Sequence, residues 1–424
     1  MKKSTIFNIL FDLKDNLIKT VTPSDMNNHD GKSFSRIRKL TLARLLIFML
    51  RCSPYSLQIR LDNFYEEIGH EEEIVSKQAF SKARTNVDPG ILKASFELTA
   101  KTLSSCEDLE LYKGKFRLCA IDGSDIALDN AAPLLKHFGG SGRTHDCAMA
   151  KSSFCYDPLN NIILDAGLYP YSTSERDAAR KHLKIVSKLP LPEGAQNLYI
   201  FDRGYPSKEM FAEMMEGGMF FLMRVRKNFN ESFDLVLHDK RTRFFHNGKS
   251  YKVRVFNLTL SNGEKELLVT NLPSKHIKYK EAAELYFSRW KIEIRFDSLK
   301  NKLELENMSG RRVVTTYQDF WAKLDLANTM AALEYSTNEA IEEKNASRKN
   351  KYQQTTNENR LIAKFSMKYI ELFTIEDTDA RLKLFYDLVA DIARRPVEVK
   401  PDRQFPRSIP RKKKFCDRRK RVLC

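Results

Sequence analysis

The chain of 424 residues is long enough for two or three domains with a large core, and its 42% of apolar residues is typical of a globular protein. The formal charge of +17 indicates a polyanionic partner, which for a basic chain is usually nucleic acid. No apolar stretch approaches the ~20 residues of a membrane span, so we expect no membrane partner. The seven cysteines form no C-x-x-C pair, which predicts reduced thiols in a cytoplasmic protein without structural zinc.

The first 110 residues predict a helical domain that binds DNA. The N-terminal apolar run contains Asn8, Asp12 and Asp15, so it indicates an amphipathic helix rather than a signal peptide. Further helices are predicted over 37–50 and over 76–86. The second of these is basic and suits a DNA-reading module, but a solvated charged face explains it equally well.

Strands begin near residue 115. Residues 116–121 predict a buried strand, which Asp122 is expected to end in a turn with Gly123 and Ser124. After a loop with Gly139, Gly140 and Gly142, two further strands are predicted over 154–156 and 162–168, joined by the tight turn Asp157-Pro158-Leu159-Asn160-Asn161.

Helix, strand, helix and strand follow in turn. Ser172 and Glu175 have the spacing of a capping box and predict the start of a helix. The apolar run 198–201 predicts a fourth strand, which ends at Asp202. Ser207 is predicted to cap the next helix, and 220–226 is the fifth strand.

This element order is that of an α/β, ribonuclease-H-like catalytic core. The first and fourth strands are neighbours in that fold, so Asp122 and Asp202 are expected to meet. Hairpin signals at Asn247-Gly248 and Asn262-Gly263 indicate a β-rich insertion. The predicted domain limits are 1–110 for the helical domain, 111–226 and 273–335 for the core, 227–272 for the insertion, 336–395 for a C-terminal helical region and 396–424 for the tail.

The C-terminal tail carries much of the positive charge. Residues 394–424 contain 13 Lys or Arg against Glu398, Asp402 and Asp417, a net charge of +10. The tail also contains Pro396, Pro401, Pro406 and Pro410, so we expect it to be extended or disordered alone.

The segment YFSRWKIEIRFDSLK, residues 286–300, is predicted as one helix. At roughly 100° per residue, its polar residues fall within an arc of about 60°: Tyr286, Arg289, Glu293 and Lys300. This row borders an apolar stripe made by Leu285, Ile292, Phe296, Leu299 and Leu303. Taken alone, the solvated face of an amphipathic helix explains the row.

Two strand-end aspartates and a helical Glu are suitable ligands for metal ions. Mg²⁺ and Mn²⁺ prefer carboxylate oxygens, and two ions about 3.5–4 Å apart can activate a nucleophile and stabilise the leaving oxygen of a phosphodiester. The sequence therefore predicts a site for two ions at Asp122, Asp202 and Glu293. A single strand-end aspartate is usually a turn residue, so the prediction depends on all three.

Three motifs in order carry a family resemblance. IDGSD at Asp122, DRGY at Asp202 and Y-x2-R-x3-E-x6-K over 286–300 resemble those of the bacterial cut-and-paste DDE transposases of the IS-four insertion-sequence family. The resemblance covers about residues 75–335. It implies that the three carboxylates bind the catalytic metals, and that Tyr286, Arg289 and Lys300 contact phosphates of the transposon ends. Arg224 stands where the family often has a basic residue beside the site.

The resemblance also implies double-stranded DNA partners, both transposon ends and target, and a homodimer in the DNA complex. In such enzymes a β-rich insertion helps to hold a DNA hairpin. The insertion of this chain has no Trp, so a stacking role would belong to another aromatic residue: Phe229, Phe233, Phe244, Phe245, Tyr251 or Phe256. Two alternatives remain open: a nuclease that only hydrolyses DNA, and a DNA-binding protein derived from a transposase whose site is idle.

Overall fold

The computed structural model describes residues 3–20, 34, 39–51, 55–141, 147–259, 263–346 and 351–400. The chain divides into two compact units. Unit 1 contains Met1–Asp108, Ala127–Ala150 and Leu299–Cys424, and unit 2 contains Leu109–Ile126 and Lys151–Ser298. The domain limits given above stay predictions.

The described residues form fourteen α-helices and eleven strands. The helices are α1 (Lys3–Thr20), α2 (Leu42–Met49), α3 (Leu57–Glu67), α4 (Lys77–Arg84), α5 (Pro89–Ser104), α6 (Ala132–Phe138), α7 (Glu175–Val186), α8 (Lys208–Glu216), α9 (Glu231–Asp234), α10 (Tyr279–Phe287), α11 (Trp290–Asn301), α12 (Val313–Asn345), α13 (Glu358–Thr374) and α14 (Thr378–Ala393). The strands are β1 (Phe116–Ala127), β2 (Gly140–Ser141), β3 (Cys147–Asp157), β4 (Ile162–Pro170), β5 (Gln196–Phe201), β6 (Phe220–Val225), β7 (Asp239–His246), β8 (Lys249–Thr259), β9 (Lys265–Thr270), β10 (Gln353–Thr355) and β11 (Val397–Val399).

The central sheet has nine strands in the order β2-β3-β1-β5-β6-β9-β8-β7, with β4 also paired to β3. β1, β5 and β6 are parallel, and Phe201 of β5 lies opposite Ile121 on one side and Met223 on the other. The predicted pairing of the first and fourth strands is confirmed. With helices flanking this mixed sheet, the fold class is α/β with a ribonuclease-H-like core.

The β-rich segment extends this sheet rather than forming a sheet of its own. β9 pairs antiparallel with β6, and β8 and β7 continue the antiparallel series. Asn247 and Gly248 join β7 to β8 with positive φ values of 46° and 73°, as the hairpin signal predicts. The second hairpin signal includes Asn262, which lies outside the described residues.

The structure corrects the turn predicted after residue 121. β1 does not end at Asp122 but continues to Ala127. On the β5 side pairing stops at Phe201, but β3 runs on beside β1, and the Ser152 hydroxyl donates to the carbonyl of Ser124. Asp122 therefore lies within a strand that has lost one of its two neighbours.

The capping-box prediction is also wrong. The N-cap of α7 is Ser174, and Glu175 is the first residue of the helix. By contrast, the Ser207 hydroxyl accepts a hydrogen bond from the backbone N–H of Met210, which confirms the predicted cap of α8.

The helix predicted over 286–300 is two helices. α10 ends at Phe287 and α11 begins at Trp290. At the junction the backbone N–H groups of Arg289 and of Ile292, in the first turn of α11, each bond to a carbonyl three residues back, and the Ser288 hydroxyl donates to the carbonyl of Leu285. Such tight bonds replace the i to i−4 pattern, so the chain turns without a Pro or Gly.

Several sequence features lie outside the described residues. These are Cys52, Cys416, Cys424, Gly142, part of the helix predicted over 37–50, and residues 401–424 of the basic tail. Among the described residues, Cys106, Cys119, Cys147 and Cys155 are not in disulfide bonds. The described part of 1–110 contains α1 to α5, and that of 336–395 contains the end of α12, the short strand β10, α13 and α14. No described helix has both the length and the hydropathy that crossing a bilayer requires.

A buried ion pair joins α1 to α12 in unit 1. Nζ of Lys14 lies 2.9 Å from Oδ2 of Asp325, and both side chains are almost fully buried. The hydroxyls of Ser95 and Thr99 on α5 donate to the same carboxylate, and Lys14 also donates to Thr329. The carboxylate is therefore neutralised and hydrogen-bonded, as a buried charge must be.

Replacing Lys14 by Met should lower the free energy of unfolding by about 3–5 kcal/mol, because the buried Asp325 loses its counter-charge. Lys19→Met on the same helix removes an exposed partner of Asp15 and should have a much smaller effect on the free energy of unfolding. Urea unfolding of the full chain, followed by circular dichroism, measures both. Equal losses in the two variants would contradict a stabilising role for the buried pair.

Candidate active site

Two neighbouring strands place Asp122 and Asp202 side by side. Asp122 follows Ile121 in β1 and Asp202 follows Phe201 in β5, and those two preceding residues are partners in the parallel register. β5 is buried from Leu198 to Phe201, as expected of an interior parallel strand. The pairing therefore brings the two aspartates to one edge of the sheet.

The helices α10 and α11 bring three further side chains to this edge. The Tyr286 hydroxyl donates to Oδ1 of Asp202 at 3.0 Å. Nη1 of Arg289 donates to Oδ2 of Asp122 at 3.2 Å, and its Nη2 donates to Oε1 of Glu293 at 2.9 Å. One guanidinium thus bridges a carboxylate of the sheet and a carboxylate of α11.

Apolar packing fixes these two helices. Leu285 and Tyr286 of α10 belong to a buried cluster with residues of the sheet, including Leu198 and Leu222. On α11, the Phe296 ring is stacked on that of Phe154 in β3, with centroids 4.3 Å apart. The apolar stripe predicted for this segment is buried throughout: Leu285, Ile292, Phe296, Leu299 and Leu303.

The surroundings of the two aspartates shift their pKa values in opposite directions. Burial raises the pKa of Asp122 to about 6, with Arg289 opposing the change and the charges of Glu293 and Asp202 adding to it. Burial also acts to raise the pKa of Asp202, but the backbone N–H of Arg203, the charge of Arg289 and the Tyr286 hydroxyl together hold it below its usual value. Asp202 is therefore the better stabilised anion of the pair.

The carboxylates do not converge as closely as an ideal ligand set. Among the described residues, the group of three with ligand atoms all within 4.8 Å of one another is His70, Glu72 and Glu73, where Glu73 is paired with Arg44. Asp122, Asp202 and Glu293 are therefore not all within that distance. The guanidinium of Arg289 between Asp122 and Glu293 accounts for their separation.

The donor set nevertheless fits a divalent cation. Its oxygens are hard ligands, and its three carboxylates meet one guanidinium, which leaves excess negative charge. Burial is the main cause of the raised pKa of Asp122, and the charges of Glu293 and Asp202 add to it. A cation beside Asp122, Asp202 and Glu293 would relieve the repulsion that burial intensifies.

Lys300 and Arg224, the remaining predicted residues, each form an ion pair, and the charge of Arg224 helps to lower the pKa of Asp202. Lys300 is in the last turn of α11, with Nζ 3.8 Å from Oε1 of Glu306. Arg224 is in β6, and its Nη2 lies 2.7 Å from Oε1 of Glu266, which is almost fully buried. Phosphate contacts by Lys300, Arg224, Tyr286 and Arg289 stay predictions.

Sequence patterns did not identify Glu266. It lies in β9, and burial raises its pKa, with Arg224 opposing the change and Asp202 adding to it. Its Oε2 atom is buried and has no partner among the described residues. Its only sequence signal is that it is a single carboxylate in the largely apolar strand KELLVT.

The aromatic residues suggested for base stacking are mostly internal. Phe233, Phe244 and Phe256 are buried in the sheet region, and the Tyr251 ring is stacked on Phe244. Phe245 is 66% exposed on β7. The three buried rings cannot stack on a base without unfolding their surroundings.

Fold and site together define an α/β protein with acidic residues on adjacent strands and a helix, as in enzymes of metal-assisted phosphoryl transfer. The family model described as "Transposase DDE domain" matches residues 113–328, just over half of the chain. The chain therefore belongs to the DDE transposase domain family, whose members act on DNA and generally use divalent metal ions. The matched region includes Asp122, Asp202 and Glu293.

Other comparisons add little. A cryo-EM structure of the piggyBac transposase synaptic complex with hairpin DNA is similar over 90% of this chain and 85% of that chain, at 10% identity and a TM-score of 0.46. At this TM-score and identity, the similarity supports no conclusion about the function of this chain. No curated protein matches the sequence significantly.

Replacing Tyr286 by Phe should lower the free energy of unfolding by about 1.5–3 kcal/mol, because its hydroxyl donates to the charged Asp202. Tyr279 on the same helix donates to the neutral carbonyl of Asn257, so Tyr279→Phe should cost only about 1 kcal/mol. Urea unfolding with a chelator present measures both. A smaller cost for Tyr286→Phe than for Tyr279→Phe would show that its hydroxyl does not stabilise the carboxylate.

Proposed function

We propose that this protein is the transposase of an insertion sequence, of the IS-four family with the Y-R-E-K motif. It binds the terminal inverted repeats of its element and cleaves the DNA at their ends. It then uses the freed 3′-hydroxyl to join those ends to target DNA. The observation that carries the proposal is that Arg289 bridges Asp122 of the sheet and Glu293 of α11, beside Asp202 on the neighbouring strand, within the family's matched region.

Metal binding is assigned to these three carboxylates. We propose two Mg²⁺ or Mn²⁺ ions, which would supply activation of the attacking water or hydroxyl and charge stabilisation at the phosphate. Asp202 is kept ionised by the N–H of Arg203, Arg289 and the Tyr286 hydroxyl, so it can offer a fixed anionic oxygen. The Glu293 side chain is 44% exposed, so it is accessible to a bound DNA substrate.

Arg289 and Tyr286 orient the carboxylates, and both are proposed to contact the DNA backbone. Nε of Arg289 has no partner among the described residues, but the side chain is only 4% exposed, so a phosphate contact requires this donor to become exposed when DNA binds. A guanidinium can serve a carboxylate and a phosphate at once, because its donors point in different directions. Lys300 and Arg224 are proposed as further phosphate contacts, which position DNA without reading its sequence.

The remaining parts of the proposal concern assembly. Residues 1–110 are proposed to bind DNA, and the active form is proposed to be a homodimer that holds two transposon ends. We propose a bacterial cytoplasmic protein that is associated with the nucleoid when it is bound to DNA. Within unit 1, the short basic helix α4 is tied to α12 by Arg84, which donates to Gln318 and Asp319. Arg84 is therefore a structural residue of the helical unit rather than a free DNA contact.

Asp122→Asn, Asp202→Asn and Glu293→Gln should each lower the rate of DNA cleavage about a thousandfold or more. A bound metal ion contributes several kcal/mol to the transition state, and each 1.36 kcal/mol is a tenfold change in rate. Binding of the transposon end should persist, because these residues are not phosphate contacts. Cleavage of an end-labelled inverted repeat and a gel-shift titration measure the two properties.

Glu284→Gln is the matched control, since Glu284 is an exposed carboxylate on the neighbouring helix α10. It should cleave at the wild-type rate. Cleavage at that rate by any of the three site variants would remove the corresponding residue from the metal site.

A further inference from the structure

A fourth carboxylate lies beside the proposed metal site. Glu175 is the first residue of α7. One of its carboxylate oxygens lies near Gly123 and the other lies near Gly204. A β-carbon added at Gly123 would lie 3.5 Å from its Oε1, and one added at Gly204 would lie 3.6 Å from its Oε2. Gly123 follows Asp122 directly, and Gly204 is two residues after Asp202.

Hydrogen bonds hold this end of α7 against the Asp202 turn. Nε of Arg176, the residue after Glu175, donates to the carbonyl of Tyr205 at 2.9 Å. Its Nη2 donates to the carbonyl of Pro206 at 3.1 Å. The position of Glu175 is thus fixed by its neighbour rather than by contacts of its own carboxylate.

The carboxylate of Glu175 is 41% exposed and has one distant ionic partner among the described residues. It accepts no hydrogen bond within the described part of the chain. The nearest cation is Lys151, whose Nζ lies 3.7 Å from its Oε1 but only 2.6 Å from Oδ1 of Asp125. Lys151 is therefore primarily the partner of Asp125, and Glu175 keeps capacity for another cation.

Tyr205 supplies an independent observation. Its side chain is almost fully buried, and its hydroxyl has no partner among the described residues. Burial raises the pKa of this hydroxyl, and the charges of Asp122 and Glu175 add to the rise. An unsatisfied buried hydroxyl is unfavourable, so this point suits a bound polar species that the folded chain does not supply.

We propose that Glu175, at the start of α7, is a fourth carboxylate ligand of the divalent-cation site. It acts on the same cations as Asp122 and Asp202, and the inference therefore rests on the proposed function. The simpler alternative is that Glu175 only stabilises the start of its helix, where an acidic side chain is favoured. Asp177 lies in the same first turn and provides the control for that alternative.

Mn²⁺ binding to the metal-free full chain, measured by isothermal titration calorimetry without DNA, tests the assignment. Glu175→Gln should weaken the binding of at least one ion about tenfold or more, as loss of metal-site residues typically does. Asp177→Asn should bind like wild type, whereas Asp122→Asn should lose affinity. Glu175→Asp keeps the charge at the helix start but shortens the reach, so it should also bind more weakly than wild type.

The outcomes separate the two proposals. Wild-type affinity in Glu175→Gln and in Glu175→Asp, with a loss in Asp122→Asn, would overturn the role of Glu175 and leave the proposed function standing. Unchanged affinity in all the variants would overturn both. Equal losses in Glu175→Gln and Asp177→Asn would assign the effect to the helix start and also overturn the role of Glu175.

Discussion

The guanidinium of Arg289 is the interaction on which the candidate site depends. It is nearly buried and donates to Asp122 of the sheet and to Glu293 of α11, so it ties together two elements that carry like charges. Burial acts to lower the pKa of Arg289, but Tyr286, Asp122 and Asp202 have the larger effect and raise it. The guanidinium therefore stays protonated. A lysine could not replace it, because a single ammonium lacks the planar fork that reaches two carboxylates in fixed directions.

The two strands that carry Asp122 and Asp202 impose a second constraint. Their parallel register fixes the spacing of these residues along the sheet, and the apolar contacts of α10 and Phe296 bring the helical residues to the same edge. The match to the DDE transposase domain spans all of these elements. Framework and chemistry are thus coupled: the same core that stabilises the sheet determines where the acidic side chains lie.

The strands of the core were predictable because they are apolar runs bounded by turn residues, as Leu198 to Phe201 followed by Asp202 shows. The extension of β1 past Asp122 was not, since it depends on β3 pairing from a distant part of the chain. The break at Ser288 and Arg289 has no Pro or Gly to indicate it, although it places Arg289 where it can bridge. The pairs Lys14 with Asp325 and Arg224 with Glu266 leave no periodic signal, because side chains far apart in sequence meet only in the fold.

Strand transfer is the property that separates a transposase from a nuclease on the same fold. The direct measurement supplies the wild-type protein with precut transposon ends bearing 3′-hydroxyls, a supercoiled plasmid target and Mg²⁺. A transposase gives plasmid molecules covalently joined to the labelled ends, and these disappear when Mg²⁺ is chelated. Nicked or degraded plasmid with no joined product, from protein that cleaves uncut ends, would contradict the proposed function.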